Sequence, residues 1–116
     1  MSSTSKVVGR GLDLQKGSFD SIADTLLLKK AALVLRAINH PLRQQMIKLI
    51  HQNGKLCVTD LYIKMRLEQS VASQHLAILR KAGFVETERS GKQIYYAVNH
   101  PRLQAVQASA RQLLDF

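Results

Sequence analysis

The sequence predicts a mainly α-helical fold with one small β-hairpin, and three observations predict it. Apolar residues return at helical spacing in successive stretches from position 22 onward. Pro41 and Pro101 each stand where a helix would begin, at a position that needs no backbone N–H donor. The segment 84–98 changes character, to β-branched and aromatic residues on either side of a Ser-Gly pair.

Residues 1–18 are rich in Ser, Gly and Lys without periodicity and are expected to form a flexible N-terminal arm, with 19–116 as the folded domain. Ile22, Leu26, Leu33, Val34, Ala37 and Ile38 predict a helix over 21–38. It stops near Asn39-His40, because Pro41 disfavours helical geometry in the residue before it. The second helix starts at Pro41 and runs through Leu42, Met46, Ile47, Leu49 and Ile50 to a stop at Asn53-Gly54. KLCV, 55–58, has the length of a brief β-segment only. Thr59 is expected to cap a short helix over 59–65, with Asp60 placed to favour its positive N-terminal end. A turn at 66–68 leads into a helix over 69–82, closed by Gly83. FVETER and KQIYYAV then pair across a Ser90-Gly91 turn, and His100-Pro101 opens the last helix. His40 and His100, each before a proline, are expected to cap helices.

At 116 residues with 46% hydrophobic composition, the chain has the size of one small domain and the content to fold. A monomer this small buries only about two-thirds of its unfolded surface, so a dimer interface would supplement it. Lys and Arg outnumber Asp and Glu by 17 to 8, for a net charge of +9. That excess points to a polyanionic partner, although the basic residues are scattered and form no dense block. The single cysteine, Cys57, excludes an intrachain disulfide framework and fits a reducing cytoplasm. The N-terminus has no apolar core of a secretion signal, and the longest apolar run, 31–35, is far short of the roughly 20 residues of a membrane span. No membrane association is expected, and the expected location is cytoplasmic.

The stretch LEQSVASQHLAILRKAGFV, 67–85, carries the main functional signal. Ala72, Leu76 and Leu79 form an inward stripe, which leaves Ser70, Ser73, Gln74, Ala77 and Lys81 on the opposite side by the 3.6-residue period. A merely solvated helix face usually carries Lys and Glu. This one is short and neutral near its start and basic toward its end, at Arg80-Lys81. Short side chains allow close approach to a DNA major groove, and Gln pairs in bidentate fashion with adenine. Gln69, Ser70, Ser73 and Gln74 are therefore the base-reading candidates, with His75, Arg80 and Lys81 as backbone contacts. Arg89 and Lys92 flank the predicted hairpin turn and put two cations at its tip. Two short helices around a tight turn, followed by a hairpin with a basic tip over 86–96, predict a winged helix-turn-helix with helical dimerisation elements at both ends. The bland alternative is an exposed helix and a hairpin with two ordinary surface charges.

Over 35–99 the chain resembles the ArsR-type (ArsR/SmtB) family of bacterial winged-helix transcriptional regulators. The resemblance rests on LRAINHPLRQQMIKLI, LCVTDL, QSVASQHLAILRKAGFV and RSGKQIYYAV, above all on SxHLxxLRxAGxV followed by a G-[KR]-x-x-x-Y wing from Gly91 to Tyr96. It implies a homodimeric repressor that binds double-stranded DNA at an inverted-repeat operator. It also implies a dimer made by the first and last helices, which would place Ile22, Leu26, Leu103, Val106, Ala110 and Leu113 at the interface. The 3-4-3 spacing of the last four suits helix–helix packing independently; the alternative is that this stripe covers the monomer's own core.

The sequence departs from the family at its sensing sites. Where many members carry a C-x-C pair in an LCVCDL segment, this chain has LCVTDL, so Cys57 remains and Thr59 replaces the second thiolate. The last helix offers no Asp or His over 101–114, only His100 and Asp115 at its ends. No metal site and no cofactor are therefore expected, and the four histidines show no ligand spacing. A redox switch at Cys57 lacks a second thiol to resolve it, and a lone Cys between Leu56 and Val58 fits buried packing. No phosphate loop, nucleophile motif or carboxylate pair suggests an enzyme. The rival readings are a winged-helix protein-interaction module and a thiol-responsive regulator using Cys57. The inducer is not assigned.

Overall fold

The computed structural model describes residues 23–115, so the expected arm 1–18 and Ile22 lie outside the described residues. The chain divides into two compact units, one ending at Leu33 and the other beginning at Val34. The described part of the first unit is the opening of helix α1 (Thr25–Ile38). The helix starts later than its apolar periodicity predicts, because Asp24 supplies the cap: its Oδ1 accepts the Leu27 N–H at 3.0 Å. Leu26, Leu27, Leu28 and Leu33 are all exposed.

The second unit begins with the last turn of α1 and continues through α2 (Pro41–Asn53), β1 (Leu56–Cys57), α3 (Val58–Met65), α4 (Gln69–Lys81), β2 (Val85–Ser90), β3 (Gln93–Val98) and α5 (His100–Leu114). The three strands form one antiparallel sheet in the order β1-β3-β2. Leu56 pairs with Tyr96 and Cys57 with Tyr95, while β2 pairs with β3 from Val85↔Val98 to Ser90↔Gln93. Met46 and Ile50 of α2, Leu61 of α3, Ala72, Leu76 and Leu79 of α4, and Phe84 fill the centre and are fully buried. Each large side chain among them contributes about 1.5–3 kcal/mol by leaving water.

Four local expectations are corrected. Helix α3 begins at Val58, and Thr59 lies inside its first turn; pairing with Tyr95 holds Cys57 extended, so Cys57 takes the cap position. The hairpin loop is Gly91-Lys92, because Ser90 still pairs with Gln93. Gly91 has φ 65° and Lys92 does not have a positive φ, the pattern of a two-residue turn that wants glycine first. The cap of α5 is Asn99, whose Oδ1 accepts from the Arg102 N–H at 3.2 Å, while His100 is already helical. His40 does cap α2, through Nδ1 to the Leu42 N–H at 3.1 Å. Finally, Val106 is buried and Leu103 packs against the core, so half of the expected interface stripe on α5 belongs to the monomer. Ala110 is half-buried, and only Leu113, 64% exposed, is free of it.

Candidate nucleic-acid interface

Helix α4 is positioned at both ends by backbone conformations the sequence encodes. At its start the chain turns through Arg66 in the left-handed region (φ 56°), and the Leu67 N–H returns to the Tyr62 carbonyl at 2.9 Å. No side chain closes the α4 N-terminus, where Glu68 holds the cap position without a capping bond. At its end Gly83 (φ 86°) turns the chain back: the Phe84 N–H reaches Leu79 O and the Gly83 N–H reaches Arg80 O, both at 2.9 Å. A side chain at Gly83 would also press on Arg102, whose Nε donates to the Ala82 carbonyl at 3.0 Å.

Within that frame Ala72, Leu76 and Leu79 are completely buried, so the opposite side of α4 faces water. Gln69, Ser70, Ser73, Gln74, Ala77, Arg80 and Lys81 are all exposed. The face is neutral over its first two turns and cationic at its end. Arg89, Gly91 and Lys92 are likewise exposed at the hairpin tip. The base of the wing is braced by Lys55, which lies 5.3 Å from the centre of the Tyr95 ring and 3.6 Å from the Glu88 carboxylate. That ion pair is half or more exposed and worth little by itself.

His75 lies differently from its neighbours. It is half-buried, with its ring 4.9 Å from that of His40 and its Nδ1 3.1 Å from Nη1 of Arg43. A guanidinium only donates, so Nδ1 accepts and the neutral ring carries its proton on Nε2. The structure thus engages His75 with α2 and leaves the outward face to the residues around it.

Arg43 is the residue the sequence analysis missed. It is 7% exposed. Its Nε donates to Ala37 O at 2.6 Å and its Nη2 to Arg36 O at 3.2 Å. Gln44 adds a bond to Ile38 O at 2.9 Å. These carbonyls end α1, where a helix leaves acceptors unpaired and favours positive charge. One guanidinium therefore joins the end of α1 to α4. A signal was available, since position 43 falls on the same helical stripe as Met46, Ile47 and Ile50.

Burial holds the pKa of His75 below its usual value, with the His40 and Arg43 charges lowering it further. A base depressed in the folded state binds fewer protons there than in the unfolded chain, so its contribution favours folding at higher pH. Stability should hold above the unfolded value of 6.5, fall as pH drops below it, and level off below the folded value. Urea unfolding at pH 7.5 and 5.5 checks this, and the loss should be smaller in His75→Gln. An equal loss in both proteins would remove His75 as the titrating group.

Cys57 is buried, and its thiol donates to the Asp60 carboxylate at 3.4 Å. No helix among the described residues is long and apolar enough to cross a membrane.

Residues 40–87 match the family model described as "Bacterial regulatory protein, arsR family". The chain is 29% identical to the transcriptional repressor PagR of Bacillus anthracis over 75% of this chain and 87% of that protein. Against the PagR crystal structure the TM-score is 0.59, covering 71% of this chain and 93% of that one. The transcriptional activator HlyU of Vibrio cholerae is 32% identical over 66% of this chain and 70% of its own length. A solution structure from Mycobacterium bovis, described as a homodimeric winged helix-turn-helix DNA-binding domain of a possible ArsR-family regulator, is 26% identical. It covers 80% of this chain and 85% of that one, with a TM-score of 0.65.

Proposed function

The chain belongs to the ArsR family of bacterial regulatory proteins and is a DNA-binding transcription regulator rather than an enzyme, and from that premise we propose that it is a homodimeric repressor of an inverted-repeat operator. The observation that carries the reading is the outward face of α4, short and uncharged from Gln69 to Gln74, with Arg80, Lys81 and the wing cations Arg89 and Lys92 as basic neighbours in the sequence and on the hairpin. Gln69, Ser70, Ser73 and Gln74 read base edges, and the four cations hold phosphates. His75 acts through Arg43 to position α4. Repression is argued from likeness to PagR and from the simplest physical effect of a bound dimer, which is to occupy the promoter.

The second copy is proposed to cover apolar side chains that stand in water in the single chain: in the first unit Leu26 and its neighbours on α1 and, taken separately, Leu113 on α5. The homodimeric Mycobacterium bovis domain supports that occupant. Sensing is proposed to proceed without the family's usual cysteine pair. The burial of Cys57 supports packing over a redox switch.

The test is selection of fragmented genomic DNA at near-physiological salt, followed by two substitutions. Enrichment of one inverted repeat with half-sites about one helical turn apart is expected. Gln74→Ala should then weaken that site by about 1–3 kcal/mol while leaving random DNA unchanged. Lys92→Ala should weaken both alike and flatten the log–log salt dependence by about 0.9 for each phosphate no longer held. Retention of every fragment or of none would sink base reading and favour the protein-interaction module.

A further inference from the structure

A cleft of about 430 Å³ lies between the outer face of α2 and the end of α3, and none of its lining residues is on α4 or the wing. Lys48 of α2, Lys64 of α3 and Arg66 of the turn that follows converge on it, and no carboxylate lines it. Leu49 and Met65, half-buried and packed against the core, supply its apolar part, and Gln45 and Gln52 complete the α2 side. We propose that this cleft binds a small organic phosphate, a phosphomonoester whose dianion meets the three cations and whose organic part lies on Leu49 and Met65.

The charge pattern carries the proposal. Among the described residues the one ion pair joins Lys55 to Glu88, so Lys48, Lys64 and Arg66 face the cleft without a carboxylate partner. Like charges gathered at one cleft repel, and an anion among them relieves that repulsion. A phosphomonoester carries a charge of about −1.5 to −2 at pH 7 and offers three acceptor oxygens. A carboxylate carries less charge and leaves more of the repulsion standing. The Arg66 guanidinium can hold two oxygens at once, and the lysines act as point charges. The volume falls within the range of about 300–1,000 Å³ in which small-molecule sites are found. A bare inorganic phosphate would leave Leu49 and Met65 wet, whereas an organic part covers them and meets the two glutamine amides with its polar groups.

The backbone sets where these side chains start. Gln45, Lys48, Leu49 and Gln52 are spaced 3, 1 and 3 apart and so share one side of α2. Arg66 has φ 56°, a left-handed conformation that glycine adopts with less strain, yet the position carries an arginine. Its N–H bonds Ile63 O at 3.1 Å and the next N–H returns to Tyr62 O at 2.9 Å, which fixes the turn from which the guanidinium leaves. Arg66→Gly therefore removes the side chain while keeping the backbone that holds it.

The experiment is calorimetric titration of full-length protein, in phosphate-free buffer, with phenyl phosphate, inorganic phosphate and phenol. One phenyl phosphate per chain is expected with a Kd below about 1 mM, inorganic phosphate binding about tenfold more weakly and phenol not at all. The thermal midpoint should rise as phenyl phosphate is added. Lys48→Gln and Lys64→Gln should each weaken binding about tenfold. Arg66→Gly should abolish it while the urea midpoint stays close to the parent's. Arg111→Gln, which removes the same charge from an exposed position of α5, should bind as the parent does. No saturable binding at millimolar phenyl phosphate, equally tight inorganic phosphate, or an equal loss in Arg111→Gln would overturn the site. Weakened DNA binding in the lysine variants without any binding of the probe would also overturn it, by assigning these cations to operator phosphates. Operator selection is run without the probe and stands or falls independently.

Discussion

Replacing Arg43 by methionine is expected to destabilise the protein by about 2–4 kcal/mol, a large fraction of a small domain's stability. Methionine keeps much of the apolar stem and fills the space, so the loss reports the guanidinium. Without it, Ala37 O, Arg36 O and His75 Nδ1 lose their donor. Each buried unsatisfied acceptor costs about 1–3 kcal/mol, and bonds from a charged donor sit at the strong end. Water reaching Arg36 O, and relief from burying a charge with no carboxylate partner, offset part of the sum. The urea midpoint should fall at unchanged slope. Arg43→Lys keeps the charge but not the fork, and should restore less than half of the loss. A methionine variant as stable as the parent would mean that the three hydrogen bonds are incidental.

Ser73→Glu should abolish specific DNA binding while leaving the fold intact. Ser73 is exposed at the middle of the outward face of α4, and Glu is the better helix former of the two. Stability should therefore change by no more than about 0.5 kcal/mol. If α4 enters the groove, a carboxylate at position 73 is carried between phosphate rows, and like charges so placed cost several kcal/mol. Operator affinity should fall by about a hundredfold or more, roughly 2.7 kcal/mol. Gln104→Glu, which adds the same charge to an exposed position of α5, should cost far less. Equal losses from the two substitutions would reduce the effect to net charge and remove α4 from the interface.

The hairpin, though not the exact position of its turn, the Schellman-type end of α4 and the buried stripe 72-76-79 were legible because each depends on neighbours in sequence. Gly83 and Gly91 announce their positive φ, and the 3.6-residue period sorts α4 into a wet and a dry side. Two boundaries shift because strand pairing overrides the local preference of a cap or turn residue, and two because a neighbouring side chain, Asp24 or Asn99, makes the cap. Cys57 stays extended because Tyr95 lies opposite, and Ser90 stays in β2 because Gln93 does.

By itself the sequence determined the order of the elements and the short, uncharged outward side of α4 with its basic end. Periodicity, caps and composition act within a turn or two of chain, so they can be read in one dimension. Only the tertiary structure decided which partners meet across 32 or 49 positions: Arg43 with His75, and His51 with His100. It also decided that Val106 belongs to the core while Leu113 stays in water, because a helical stripe states which residues share a face and not what lies against it.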